Sequence, residues 1–198
     1  DLARVDTRAG ARVLHPGRLR AHARQPGDLQ RQAAARELEG RARTAGLQAQ
    51  VQNPPYLGLW SRLAGFEREH LHTAMERRQV VRTAAMRSTL HLLTGEDLLA
   101  WRKPLQPALE RALQGFHGRN IRGLDLAPII AEAERLFADG PRTGVELRAA
   151  LAMIAPGRDP NALDYVARSY LALVQLPPAG FWRVGGSPRY AAAQGARV

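Results

Sequence analysis

The chain has 198 residues, 45% of them apolar, which is enough to build a packed core and excludes a wholly disordered tail. Its 29 basic residues against 18 acidic ones leave a net charge of +11, a balance that favours an anionic partner such as nucleic acid or an acidic membrane surface. It has no cysteine, so disulfides, thiolate zinc sites and a cysteine nucleophile are excluded.

All the basic residues except Lys103 are arginine, a bias that GC-rich coding also produces, so charge alone does not assign a partner. No apolar run approaches the ~18 residues of a membrane span, and Asp1 to Asp6 carry no apolar signal-peptide core. A cytoplasmic protein with no membrane partner is the expectation. The chain does not begin with Met, and a fragment or a trimmed product is expected.

Residues 8–27 hold Arg8, Arg12, Arg18, Arg20 and Arg24 among glycines and prolines, with little apolar periodicity. Residues 1–27 are therefore expected to form a loosely ordered basic arm. A helix is predicted from Asp28, with Leu29, Ala33, Ala34 and Leu38 on one face and Gly46 as its end. Leu47 to Gln52 then leads into Pro54-Pro55, which forbids a continuous helix. The helix restarts near Tyr56, where Leu57, Trp60, Leu63 and Ala64 keep helical spacing, and a charged helix over 67–78 turns Leu71 and Met75 inward. Residues 79–83 and 89–93 read as short strands. Thr94-x-x-Asp97 starts a long helix to about Phe116 that Pro104 and Pro107 should bend or interrupt. After a loop at 120–124, Asp125 opens a helix to Ala138 with Leu126, Ile129, Ile130, Ala133 and Phe137 buried. Thr143-x-x-Glu146 is a full capping box that starts a helix to Ile154. A third helix spans about Asn161 to Leu173, and residues 174–176 and 180–184 read as two strands separated by Pro177-Pro178. Three helices followed by a two-stranded hairpin is the winged-helix order. The third helix would face a DNA major groove, and the hairpin would be the wing.

Two strings carry a more specific signal. One is Leu47-Gln48-Ala49-Gln50 followed by Asn53-Pro54-Pro55-Tyr56-Leu57-Gly58-Leu59-Trp60. The other is Arg82-Thr83-Ala84-Ala85-Met86-Arg87-Ser88-Thr89-Leu90-His91. Together they resemble the bacterial tandem winged-helix proteins that include the AlkZ-like interstrand-crosslink DNA glycosylases, from about Gly46 to Gly186. The opening residues 2–8 are similar as well. Residues 9–45 depart from the pattern, where the family has an apolar amphipathic helix, and the tail after Gly186 drifts. Family members continue into a third winged helix, so this chain is expected to be a shortened copy. The resemblance implies a mainly α fold with short β-hairpins, built as tandem winged helix-turn-helix domains. Their expected limits are 28–118 and 120–190, with a tail over 191–198. It also implies a double-stranded DNA partner and, in some members, hydrolysis of the N-glycosidic bond of alkylated purines.

The family's catalytic signature is a pair of glutamines flanking one aliphatic residue, and Gln48 and Gln50 match it around Ala49. The chemistry is sound for such residues. A purine alkylated at a ring nitrogen is cationic and already a good leaving group, so the protein need only stabilise an oxocarbenium-like sugar and hold a water. A carboxamide oxygen accepts a hydrogen bond from that water and its NH₂ donates to another group. Glutamines at i and i+2 on an extended segment point the same way. Carboxylate pairs serve ordinary glycosides, which restricts a glutamine pair to activated leaving groups. The competing reading of Gln48 and Gln50 is as loop residues that satisfy backbone groups near Pro54.

Arg82, Arg87, His91, Arg168 and Arg183 are the candidate nucleic-acid contacts, arginine being suited to bidentate phosphate binding. For His91 the functional reading is a donor to phosphate or to the active-site water; the alternatives are a solvated turn for Arg82 and Arg87 and a hydrogen-bonded core-edge residue for His91. Trp60 and Trp182 are expected in the core. His70 and His72 stand two apart on a helix and face different ways, and carboxylates at ligand spacing are absent, so neither a metal nor an organic cofactor is expected. Three functions remain open: a winged-helix glycosylase, a winged-helix DNA-binding protein without catalysis, and a helical protein-interaction module. The first requires Gln48 and Gln50 exposed side by side in a basic cleft. The second requires only a basic surface and a recognition helix. The third predicts evenly scattered arginines.

Overall fold

A computed structural model describes residues 46–193. The basic arm, the helix expected from Asp28 and the last five residues of the tail lie outside the described residues. Among the described residues, six helices and one small antiparallel sheet make a mixed α/β fold. The order is β1 (Leu47–Gln48), α1 (Pro54–Trp60), α2 (Arg68–Glu76), β2 (Val80–Ala84), a single 3₁₀ turn at Met86–Ser88, β3 (Leu90–Thr94), α3 (Gly95–His117), α4 (Ala127–Ala138), β4 (Arg142–Thr143), α5 (Gly144–Ile154), α6 (Pro160–Tyr170), β5 (Leu173–Gln175) and β6 (Arg189–Ala192).

The six strands form one sheet in the order β1-β3-β2-β5-β6-β4. Each half of that order repeats the other: a short edge strand, then two helices, then a pair of strands whose second member lies between the first and the edge. The halves join where β2 pairs with β5, Arg82 opposite Gln175 and Thr83 opposite Val174. Residues directly opposite in an antiparallel pair share a sheet face. One row therefore runs across all six strands as Leu47, Leu92, Arg82, Gln175, Tyr190 and Arg142. The next row, on the other face, is Gln48, His91, Thr83, Val174 and Ala191.

Three apolar clusters follow from this layering. Tyr56 and Leu59 of α1 and Leu71, Ala74 and Met75 of α2 pack with Val80 and Leu92 on the first row's face. Helices α4, α5 and α6 pack around Ile129, Leu147, Leu151, Leu163 and Val166 and reach Leu173 and Tyr190. The opposite face, with Val81, Leu93, Val174 and Ala191, takes Leu98 and Trp101 of α3. The capping signals work as expected. Thr94 Oγ1 accepts from Asp97 N at 3.0 Å, and Thr143 and Glu146 form a reciprocal box.

Several expectations are corrected. Residues 180–184 are not a strand: Gly180 and Arg183 have φ of +96° and +56°, the segment turns, and the partner strand of β5 is β6 at Arg189–Ala192. The reason is that Phe181 and Trp182 pack against the α1–α2 cluster instead of alternating across a sheet. Helix α1 begins at Pro54 and buries Pro55, Tyr56 and Leu59, so Leu57 and Trp60 point outward, 56% and 69% exposed. The buried face is set by Tyr56, whose hydroxyl donates to Gly180 O at 3.1 Å. Helix α3 runs through Pro104 and Pro107 as one element, since its packing on the sheet and on α6 supplies what propensity lacks. Helix α6 is mostly covered, with Asp164, Tyr165 and Arg168 half-buried along the face that Asn161 begins. Only Pro160 and Asn161 on it are fully exposed, because α4 and α5 pack against its apolar side and α3 and the 3₁₀ turn reach it as well: Arg102 Nη2 donates to Ser169 O at 2.5 Å, and the Ser88 and Tyr165 hydroxyls are 2.7 Å apart.

Candidate active site

Strand β1 is only two residues long, and the chain leaves it through residues 49–53 before α1 begins. Ala49 turns inward and is 2% exposed, while Gln48 and Gln50 on either side of it are exposed. The pleat thus places the two glutamines on the same side of the segment. Among the described residues no hydrogen bond engages the Gln48 carboxamide, so its oxygen and NH₂ remain available to solvent or a ligand. Gln50 is tethered: its Oε1 accepts from Leu90 N at 3.0 Å. Ala49 N donates to Leu90 O at 2.7 Å, which extends the β1–β3 pairing by one residue.

His91 lies directly opposite Gln48 in the ladder and is 5% exposed. Its Nδ1 stands 2.9 Å from Thr89 O. A carbonyl can only accept, so Nδ1 donates there and, in the neutral ring, Nε2 is left as an acceptor. His91 therefore sits at the core edge with no exposed donor for the expected phosphate contact.

Arg82 is placed inside the molecule, 6% exposed, where it cannot reach a phosphate on the surface. Its Nε and Nη2 donate to Ala49 O at 3.0 and 2.7 Å, and Nη2 also approaches Gln50 O at 3.3 Å. Its Nη1 donates to Gln175 Oε1. Burial lowers the Arg82 pKa from its ordinary value, yet a guanidinium still stays charged at neutral pH. Gln175 in turn donates to the Tyr190 hydroxyl at 3.1 Å, and the Arg168 guanidinium lies 4.2 Å from the Tyr190 ring centre. Arg168 is half-buried and donates to Asp164 at 2.9 Å, so its charge is compensated within α6.

Arg87 and Arg183 are the candidate contacts that remain exposed. Arg87 sits at the tip between β2 and β3 with φ +52°. Arg183 is brought next to the glutamine segment by tertiary structure: its backbone N donates to Asn53 Oδ1 at 3.2 Å. The 176–188 loop that carries it is fastened to α1 and α2. Phe181 stacks on His72 with ring centres 4.2 Å apart, Trp182 N donates to His72 Nε2 at 3.4 Å, and the Trp182 ring meets Tyr56 edge-on at 5.5 Å. Arg68 and Arg183 both flank Trp182, at 6.0 and 5.8 Å from its ring. Burial raises the pKa of the Tyr56 phenol beneath them.

Gln175, Tyr190 and Asn53 were not among the expected site residues. Only Gln175 left a trace, a lone amide between Val174 and Leu176 in an otherwise apolar strand. Among the described residues no cluster of three His, Asp or Glu side chains could hold a metal ion, and no helix is long and apolar enough to cross a membrane.

The fold is similar to that of Streptomyces sahachiroi DNA glycosylase AlkZ. The match has a TM-score of 0.63 at 19% sequence identity and covers 82% of this chain and 45% of the other. The chain thus spans less than half the length of that protein. No curated protein sequence matches it. The family model for DNA glycosylase AlkZ-like proteins matches residues 41–197, which include the Gln48–Gln50 segment, both edge strands and the docked loop, and the chain belongs to the AlkZ-like DNA glycosylase family.

Proposed function

We propose that this chain is a DNA-repair glycosylase that hydrolyses the N-glycosidic bond of alkylated purines in double-stranded DNA. The observation that carries the proposal is the pair Gln48 and Gln50, exposed around a buried Ala49 on a segment held in place by Arg82. Gln48 accepts a hydrogen bond from the attacking water, His91 Nε2 helps to orient that water, and Gln50, tied to Leu90 N, lines the same side. The cationic base supplies most of the driving force, since neither carboxamide is a strong base. Exposed Arg87 and Arg183, with Arg68 beside Trp182, are the proposed phosphate contacts, and Arg183 is the one tied to this segment, through Asn53.

The scaffold proposed for this chemistry is a tandem of winged-helix units, with the first over 28–118 and the second over 120–190. The helix–strand–helix–helix–strand–strand order of α4 to β6, with β4 pairing β6, supports the second. The matching β1-β3-β2 arrangement supports the first. A non-catalytic DNA-binding protein is the second reading. It is favoured by the Gln50 tether, which is what a loop glutamine satisfying a backbone amide would form.

Duplex DNA carrying N7-methylguanine, followed by alkaline cleavage of abasic sites, separates the two. The glycosylase reading expects base release by the wild-type chain and a loss of about 10²–10⁴ in rate for Gln48→Ala and Gln50→Ala, with DNA affinity little changed because neither residue is charged. DNA binding without base release leaves the non-catalytic reading.

A further inference from the structure

The buried guanidinium of Arg82 stands on the row where the two halves of the sheet meet. On one side it holds the carbonyls of Ala49 and Gln50, and on the other the carboxamide of Gln175. Gln175 is itself fixed by Tyr190, on the strand that pairs with the far edge. The 176–188 loop packs on the stem of the same side chain. A Cβ at Gly180 would stand 3.1 Å from Arg82 Cδ, so the loop backbone lies against the arginine stem. A polar chain therefore runs from the second half of the sheet, through Arg82, to the backbone between the two glutamines.

A two-residue edge strand with one ladder neighbour has few hydrogen bonds of its own to define its end. Three arginine N–H groups on two successive carbonyls supply what the ladder does not. Bonds to a charged donor are stronger than neutral ones, and a planar fork fixes direction as well as distance. From this we infer that Arg82 is a positioning residue that sets the Gln48–Gln50 backbone from the second half of the sheet, with Gln175 as its outer anchor. The inference rests on the glycosylase reading for its role in the reaction, but not for the clamp itself.

The clamp and the reaction are tested separately in the full chain. Amide exchange at Ala49 and Leu90, which donate across the β1–β3 edge, reads the clamp, and the α6 amides serve as the internal reference. In Arg82→Lys a single ammonium cannot serve both carbonyls and Gln175 together. Exchange at Ala49 and Leu90 is expected to quicken by about tenfold or more while α6 is unchanged. Gln175→Met keeps Arg82 and removes only the outer anchor, so it gives a smaller change of the same kind and stands in if Arg82→Lys fails to fold. Gln175→Glu restores an acceptor for Nη1 and is expected to return exchange toward the wild-type value.

Single-turnover base release from N7-methylguanine duplex is expected to slow about tenfold or more in Arg82→Lys with unchanged DNA affinity, and Gln175→Glu should be faster than Gln175→Met. Unchanged exchange in both Arg82→Lys and Gln175→Met overturns the clamp. Faster exchange with an undiminished chemical rate overturns the positioning role. Base release absent from the wild-type chain defeats the glycosylase reading, and Arg82's part in that reaction with it, leaving exchange to judge the clamp alone.

Discussion

Replacing Gly180 by Ala tests whether the 176–188 loop is truly fastened to the first half of the sheet. Gly180 has φ +96°, which an L side chain rarely adopts, and its Cβ would lie 2.7 Å from Met75 Cε and 3.1 Å from Arg82 Cδ. The backbone strain costs about 1–2 kcal/mol. Met75 is 2% exposed and Arg82 is held on both sides, so neither can move aside freely. Overpacking of this kind adds about 1–2 kcal/mol, bringing the total to about 2–4 kcal/mol. At about 2–4 °C per kcal/mol for a chain of this size, the Tm should drop by about 5–15 °C. Gly123→Ala is the matched control. It also has positive φ, at +69°, but nothing lies within 4 Å of its Cβ, so only the strain of about 1–2 kcal/mol should appear. Thermal unfolding followed by circular dichroism reads both variants. Equal shifts for the two, or a shift below about 2 °C for Gly180→Ala, would refute a loop packed tightly on Met75 and Arg82.

The same loop should respond to acid through His72. Burial lowers the His72 pKa, and its Nε2 accepts from Trp182 N, so the docked loop prefers the neutral ring. The unfolded chain then binds more protons, and the stability His72 contributes is full above its ordinary pKa of about 6.5 and is lost as pH falls below it. Tm measured from pH 8 to pH 5 should decline more in the wild type than in His72→Gln, and parallel declines would argue against the assignment. Thr143→Ala removes the capping box of α5 and should cost about 1 kcal/mol, or about 2–4 °C in Tm by calorimetry. Duplex affinity, measured by fluorescence anisotropy against salt, should fall by about 10³ or more between low and moderate salt if several phosphates are contacted. Arg183→Ala should reduce the slope by about one, and a flat response would remove DNA from the proposal.

How much of this was legible beforehand depended on the range of the interaction. Thr94 and Thr143 announce their helices because a cap is a contact over three residues. Strands β2 and β3 announce themselves through their own β-branched and apolar residues. The edge strands β1 and β4, two residues each, carry no periodicity and exist only because β3 and β6 offer them partners. The exposure of Gln48 and Gln50 around Ala49 could be read from the alternation of an extended segment. The burial of Arg82 could not, since its acceptors lie 33 and 93 residues away. The surroundings of Arg168 are only partly legible for a related reason: its Asp164 partner is local, but the Tyr190 ring beside it arrives from β6. Helical spacing groups Leu57 with Trp60, whereas the buried face of α1 is set by Tyr56 and the distant Gly180 carbonyl.

The repeated strand order also explains why only one edge of the sheet carries candidate chemistry. In the second half, β4 ends at Thr143 and α5 begins at Gly144, so the strand runs straight into a helix whose capping box uses the Thr143 side chain. No residue is left there to face solvent from an extended backbone. In the first half, β1 ends at Gln48 and α1 begins only at Pro54, with Pro54 and Pro55 preventing the helix from reaching back into the gap. Residues 49–53 are thereby kept extended or turned, with Ala49 as the inward pin and the flanking glutamines outward. Such a segment has no helical hydrogen bonds, and its carbonyls need other partners. Arg82 meets that need for Ala49 and Gln50, while the equivalent row position in the second half, Gln175, answers Arg82 and Tyr190 instead. The asymmetry of the two edges is thus coupled to the asymmetry of the central row. A scaffold that is nearly the same twice offers the candidate site once, at the edge where the strand-to-helix connection is longest and a buried cation is available to hold it.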